Sequence, residues 1–367
     1  VFREDFESLE KQLLSPFASL SASSKGRAMI EEKDTYRTEY QRDFDRIIYS
    51  KAFRRLQYKT QVFIAPKGDH YRNRLTHTLE VMTISRSISR ALRLNPDLTE
   101  AIALGHDLGH SPFGHAGEDA LNNKCKEYEP DSHFYHMEQS LRVVDILEKR
   151  IKSDGTEVFG LNLTEEVREG ILKHSKGLLD LSAFNSEDVP NTLEGQVVRI
   201  SDRIAYIHHD LDDAIRAGIV KERDVPSNVA KTLGETNSKR LSTIIKSVIE
   251  ESYDKNFIQM DKDVEESMDE LKDFLTDRVY VGSAPKKEEQ KVIRLIYYLF
   301  DYFYNQPEKL ISYIENHPIS LVSNDPISLL KEDKKERVRV ITDYISSMTD
   351  RFAIELIEQI ITPTPTI

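Results

Sequence analysis

Apolar residues recur along this chain at spacings of three and four, the period of a helix with one buried face. Over 77–94, Leu79, Met82, Ile84, Ile88, Ala91 and Leu92 form such a stripe, and Asn95-Pro96 stops it. A second helix is predicted over about 98–109 on Ile102, Leu104 and Leu108, then a break at "GHSPFG" and a helix through "EDALNNKCKEY". Residues 136–152 turn Leu141, Val144, Ile146 and Leu147 to one side, and 191–217 runs helical to Gly218, a suitable C-terminal cap. Helical periodicity continues near 228–251, 263–278, 286–305 and 333–361. Strand signals are weak, with "DRVYVGS" the best short candidate, and the first 30 residues, Ser-rich near 19–24, read as loop. The expected fold is all-α. It divides near "ERDVPSN" (222–228) into a helical core over 41–225 and a C-terminal helical domain over 226–367, after an N-terminal extension over 1–40.

At 367 residues the chain is long enough to bury a full core without covalent staples. Its net charge of −12 argues against general affinity for nucleic acid or anionic membranes. A basic run, Arg42, Arg46, Lys51, Arg54, Arg55, Lys59, Lys67, Arg72 and Arg74, suits either a small polyanion such as a nucleotide or a solvated helix face. The single cysteine, Cys125, leaves no intrachain disulfide and no cysteine metal cluster, which fits a reducing compartment. No apolar run approaches the length of a membrane span, and the acidic "VFREDFESLE" is no signal peptide. A cytoplasmic protein with no membrane partner is expected.

Histidine is concentrated: eight of eleven fall between His70 and His174. The pair His106-Asp107 sits in "LGHDLGHSPFGHAGE", with His110 and His115 close behind, and His77 opens the stripe of its own helix in "RNRLTHTLEV". Asp202 lies amid Val197, Val198, Ile200, Ile204 and Ile207, where a carboxylate is costly to bury unless it meets a cation. Tyr206 and Asp210 follow at i+4 and i+8 on the same face. Imidazole and carboxylate together suit Mg²⁺, Mn²⁺ or another divalent first-row ion better than a thiolate-loving one. Two of each, with positions left for water, describe a catalytic site.

The order His…His-Asp…Asp resembles the signature of HD-domain phosphohydrolases. The likeness extends further, because "YRTEYQRDFDRIIYSKAFRRLQYKTQVF", "RNRLTHTLEV", "HDLGHSPFGHAGEDALN", "HMEQSLRVV", "ISDRIAYIHHDLDDAIRAG" and "DYISSMTDRFA" look like successive blocks of the deoxynucleoside triphosphate triphosphohydrolases, the dGTPase-like proteins. They run in order from about residue 25 to 360. The resemblance implies that 41–225 is an HD phosphohydrolase domain. It implies hydrolysis of dGTP or several dNTPs to deoxynucleoside and inorganic tripolyphosphate, water attacking the α-phosphorus and the 5′-oxygen leaving, in control of dNTP pools.

By the same resemblance, His77, His106, Asp107 and Asp202 are metal ligands, and His115 with Glu118 is the catalytic imidazole and its acidic partner. Whether His115 acts as acid or base is left open. Arg74 resembles the arginine that grips phosphate, for which a guanidinium is well shaped. His110 and His136 correspond to phosphate-facing histidines of the related SAM-and-HD dNTPases, and Arg203 replaces a lysine there. Tyr206 and Asp210 match residues near triphosphate and sugar. Gln61 and Val62 match positions lining the sugar, where a 3′-hydroxyl is read and a 2′-hydroxyl crowded out. The resemblance also implies a homo-oligomer, tetramer or hexamer, and a dNTP activator at a separate site.

Two departures are visible. Ser111 stands where "HPPFGHAGE" is frequent, and Met137 stands where an asparagine is common. Neither touches an expected ligand. Other HD-domain nucleotide phosphohydrolases and phosphodiesterases share the four ligands but not "GHAGED" with "AFRRLQYKTQVF". A nucleotide-sensing or single-stranded nucleic-acid-binding module, resting on the basic run, is the non-enzymatic alternative.

Overall fold

The computed structural model describes residues 2–61, 72–152, 154–175, 188–280, 285–315 and 333–363. Helices dominate. The chain opens with α1 (Arg3–Leu13), α2 (Glu39–Ile48) and the short α3 (Lys51–Arg55). It continues through α4 (Arg74–Ala91), α5 (Pro96–Gly105), α6 (Gly114–Tyr128) and α7 (His136–Arg142). Next come α8 (Glu165–Lys173), α9 (Leu193–Arg216), α10 (Ser227–Leu233), α11 (Asn237–Ser252) and α12 (Lys262–Leu275). The last are α13 (Pro285–Asn305), α14 (Pro307–Glu315), α15 (Lys334–Ser347) and α16 (Asp350–Ile361). Among the described residues the one sheet is a two-stranded antiparallel ribbon, β1 (Lys149–Ile151) against β2 (Glu157–Phe159), with Arg150 opposite Val158. No helix among the described residues is long and apolar enough to cross a membrane.

The molecule is organised around α5. Its Leu98, Ala101, Ile102, Ala103 and Leu104 are all 0% exposed, so most of this helix is buried, with Pro96, Asp97 and Glu100 partly exposed. α2, α4, α8 and α9 all pack on it, and α4 and α8 each pack on α9 as well. Small residues allow the approach: a methyl placed on Gly170 of α8 would lie 2.5 Å from Ile102 Cδ1. α6 leans on α13, and α15 packs against both, while α10, α11 and α12 form a group that reaches α9.

Caps set the helix starts. Asn73 accepts from the Thr76 N–H at 2.9 Å and Thr76 Oγ1 accepts from the Asn73 N–H at 3.1 Å, a reciprocal pair that opens α4. Asn95 caps α5 with Pro96 at its first position, so Asn95-Pro96 starts that helix, and α4 already ends at Ala91. Gly218 ends α9 at φ 71°, as its position in the sequence predicts.

Several expected elements differ. The first 30 residues are not all loop: α1 is a full helix whose Phe6, Leu9 and Leu13 stay exposed. The 136–152 segment is helical only to Leu147, through a wide turn at Val143–Leu147, and then enters β1. The candidate strand "DRVYVGS" begins inside a wide helical turn, Thr276–Tyr280, and its remainder lies outside the described residues. Long periodic stretches are broken once each. Gly234 at φ 117° separates α10 from α11, and Met348-Thr349 separates α15 from α16, where Thr349 caps the second helix. Periodicity reports a buried face but does not see a cap within it.

Gly170→Ala forces a methyl into the Ile102 side chain and is expected to cost about 1–3 kcal/mol. A urea titration tests this. The midpoint falls while the slope is kept, and an unchanged midpoint contradicts the packing described.

Candidate active site and metal centre

Four elements deliver one cluster. α4 presents Arg74 and His77 one turn apart at its capped start, and α5 ends at His106, with Asp107 directly after. α9 carries Asp202, and α6 begins at Gly114, placing His115 and Glu118 in its first turns. α7 begins at His136. Its closeness to the His106–His110 loop needs a glycine, because a Cβ on Gly109 would meet Ser140 N at 2.1 Å.

His77 Nε2 lies 3.0 Å from Asp202 Oδ1, and His106 Nε2 lies 3.6 Å from Asp107 Oδ2 and 3.7 Å from Asp202 Oδ1. Ligand atoms of His77, His106 and Asp107 fall within 4.8 Å of one another, as do those of His106, His174 and Asp202. The His106 tautomer follows from its neighbours. Nδ1 donates to the Ala103 carbonyl at 2.7 Å, so Nε2 carries a lone pair, and that atom is buried with no hydrogen-bond partner among the described residues. A bare, buried imidazole nitrogen between two carboxylates fits a cation. Burial raises the Asp202 and Asp107 carboxyls, but the surrounding imidazoles outweigh it, with Arg74 added at Asp107, and both are held well below the usual carboxylate range. Arg74 donates to Asp107 Oδ2 at 2.7 Å, while its Nε and second terminal nitrogen are buried and unpartnered among the described residues. Those two donors are available to an anion.

A second group adjoins the first. Asp107, His110 and His136 bring ligand atoms within 4.8 Å of one another, and so do His110, His115 and Glu118. Glu118 accepts from the His136 backbone N–H at 2.8 Å and from its Nδ1 at 2.9 Å, and stands 3.5 Å from His115 Nδ1. The rings of His110 and His136 stack at 4.6 Å. His136 Nε2 meets His174 Nε2 at 3.3 Å, yet His174 Nδ1 already donates to the Ile171 carbonyl. One of the two Nε2 atoms must therefore carry a proton. It belongs to His136: burial disfavours the charged ring, but the Glu118 carboxylate prevails and raises its pKa. His174 is pushed down to about 3 by burial and by His106. His115 is the exposed member, at 55% of its side chain.

The other expected residues separate into two sets. Gln61 is near the α6 start, its backbone carbonyl 3.3 Å from where a Gly114 methyl would be, and its Oε1 is buried without a partner among the described residues. Tyr206 stands 6.4 Å from the His115 ring, and the Asp210 carboxyl interacts with the Tyr206 hydroxyl. Burial, then Asp213, pushes Asp210 well above the usual carboxylate range. Val62 lies outside the described residues. Arg203 is not brought to the cluster, since it pairs with Glu265 at 3.4 Å and Asp269 at 2.5 Å on α12.

Much of the basic run is taken up in ion pairs or buried, with Lys51 and Arg54 exposed. Arg42 and Arg46 pair with Glu31, Arg72 with Glu80, Asp212 and Asp213, and Lys59 is buried, while Lys67 lies outside the described residues.

Sequence reasoning overlooked His174, His209 and Glu80. His209 Nδ1 stands 3.4 Å from His77 Nδ1, and its other nitrogen pairs with Glu80. A signal existed. His209 is seven residues after Asp202 on α9, and Glu80 is three after His77 on α4, spacings that keep each pair on one face.

Comparison with known proteins adds the following. The HD domain model matches residues 74–207, and the Phosphohydrolase-associated domain model matches residues 258–359. The deoxyguanosinetriphosphate triphosphohydrolase-like protein of Caldanaerobacter subterraneus subsp. tengcongensis is 50% identical over 363 residues, 99% of this chain and 96% of its own. That of Desulfatibacillum aliphaticivorans is 46% identical over 366 residues, 99% of each chain. That of Clostridium perfringens (strain 13) is 41% identical over 366 residues, 98% of each.

Glu118→Gln removes the charge that keeps His136 protonated, so the His136 pKa is expected to fall. In the parent protein its raised value contributes stability that is full below the unfolded-state pKa near 6.5 and is lost as pH rises through the folded-state pKa. Imidazole nitrogen shifts followed against pH report this. Identical His136 titrations in both proteins would refute the assignment.

Proposed function

We propose, because this chain belongs to the deoxyguanosinetriphosphate triphosphohydrolase-like proteins, that it is a hydrolase acting on deoxynucleoside triphosphates. The products are the deoxynucleoside and inorganic tripolyphosphate. The oxygen of a water molecule bonds to the α-phosphorus, the bond from that phosphorus to the 5′-oxygen breaks, and the 5′-oxygen takes up a proton. The observation that supports this most is the overlap of the two side-chain groups. Asp107 belongs to the cation-binding set and also groups with His110 and His136, and His110 in turn groups with His115 and Glu118, so an α-phosphate bridging Asp107 and His110 can meet both.

Roles follow from chemistry at each position. His77, His106, Asp107 and Asp202 hold a divalent cation, Mg²⁺ or Mn²⁺ by the oxygen-rich half of the donor set. Such a cation, when bound, stabilises negative charge developing on phosphoryl oxygen. Arg74 offers its two unpartnered nitrogens to the phosphates, with protonated His136 and the His110 ring beside it. His115, exposed and backed by Glu118, moves the proton that the 5′-oxygen requires. Gln61, packed against the start of α6, reads the sugar. A deoxyribose preference follows where its amide meets the 3′-hydroxyl and leaves no room for a 2′-hydroxyl.

Incubation with each dNTP, singly and in pairs, with Mg²⁺ or Mn²⁺, is expected to yield tripolyphosphate. Orthophosphate or pyrophosphate as the primary product identifies another HD-type phosphohydrolase instead. His115→Gln is expected to lower kcat about 10²–10⁴-fold with metal content kept, and a normal rate removes His115 from the mechanism. Asp202→Ala is expected to lose the cation and the activity together, so a metal-replete, active variant excludes Asp202 as a ligand.

A further inference from the structure

The end of α15 and the start of α16 hold several segments around the site without contributing an expected metal ligand to it. Asp343 on α15 accepts from Gln139 at 2.9 Å and from Arg142 at 2.7 Å, holding α7, the helix that begins at His136. The buried Lys59 ammonium bridges two carbonyls, that of Ser346 at 2.7 Å and that of His110. Asp350, the first residue of α16, reaches furthest. One carboxylate oxygen accepts from the Thr60 N–H at 2.9 Å and from the Thr60 hydroxyl. The other accepts from the Phe113 N–H at 2.8 Å.

Both anchored residues sit next to groups that matter. Thr60 precedes Gln61. Phe113 precedes Gly114 and His115, and it holds a left-handed backbone at φ 62°, with Gly114 also at φ 62°. For a bulky residue such as phenylalanine that conformation is strained and persists only where surroundings over-determine it. The Asp350 bond to its N–H is one such determinant. The two anchored strands also lie against each other, with Thr60 and Gln61 carbonyls 3.7 and 3.3 Å from a methyl placed on Gly114.

We infer that Asp350 is a positioning residue that ties the Gln61 segment to the turn presenting His115, so that one carboxylate sets sugar recognition and proton transfer together. The inference rests on the reaction proposed above for its activity readouts, and on hydrogen exchange for the anchoring itself.

Asp350→Asn keeps size and shape but must aim its amide N–H₂ at one of the two backbone N–H groups, so one anchor is lost. Relative to the parent enzyme, on whichever dNTP that enzyme turns over, the variant is expected to lose about 10²-fold in kcat. Its ratio of dGTP to GTP turnover falls as well, while Mn²⁺ affinity is kept. A merely structural role lowers the folded fraction but leaves kcat per folded molecule and that ratio alone. Thr60→Val, which removes only the hydroxyl and keeps both N–H anchors, is expected to retain turnover within a few-fold. An Asp350→Asn enzyme with the parent kcat and ratio, or one that loses Mn²⁺ binding along with its rate, overturns the inference. Should that variant fail to fold, exchange in the unaltered protein decides. Protected Thr60 and Phe113 amides support the anchoring, and freely exchanging ones overturn it. A parent enzyme that makes no tripolyphosphate counts against the proposed reaction, while amide exchange still judges the anchor.

Discussion

The site depends on one electrostatic constraint: buried imidazoles and carboxylates tolerate each other only when every lone pair and every proton has a destination. His106 donates through Nδ1 to Ala103 and must leave Nε2 bare. His174 donates to Ile171 in the same way and leaves its own Nε2 bare toward His136. The fold answers with positive charge. Arg74 stands on Asp107, a proton rides on His136 under Glu118, and the donor groups that share His106, with His77 and Asp107 and with His174 and Asp202, suit a divalent ion. Removing one member of such an arrangement leaves another uncompensated, which is why the cluster acts as a unit.

Holding that unit in place falls to elements from both ends of the chain. The HD-type helices α4, α5 and α9 carry the side chains proposed to hold a cation, while residues 343–350, within the stretch matched by the phosphohydrolase-associated domain, brace the loops beside them. The bracing uses backbone groups as partners: carbonyls for Lys59, N–H groups for Asp350. Contacts of that kind fix where a loop runs without dictating which side chains it bears.

Much of this was legible in the amino-acid order. The stripe on α4, the dipeptide His106-Asp107 and the lone carboxylate of Asp202 in an apolar run all pointed to one place, because helical periodicity and the cost of a buried charge are local properties. Less was legible where partners are distant. Arg203 has the charge expected near a phosphate, but Glu265 and Asp269, over 60 residues away, take it. The basic run reads as a groove in one dimension, whereas in three most of its arginines are taken by carboxylates. His174 gives almost no sign in its own neighbourhood, since its relation to His136 is made by α7 and α8 packing together. Asp350 falls in a block that resembles the family, yet nothing in that block tells which loops its carboxylate reaches.

The deep burial of α5 links ligand binding to the cohesion of the whole helical body. A helix whose apolar residues are all packed inside does not detach on its own, so release of His106 requires the surrounding core to come apart. Occupancy at its C-terminal end is therefore thermodynamically coupled to global unfolding. A ligand held there at about 100 times its Kd adds about 2.7 kcal/mol to the stability of the entire domain, and heat or denaturant has to melt the core before it can open the site.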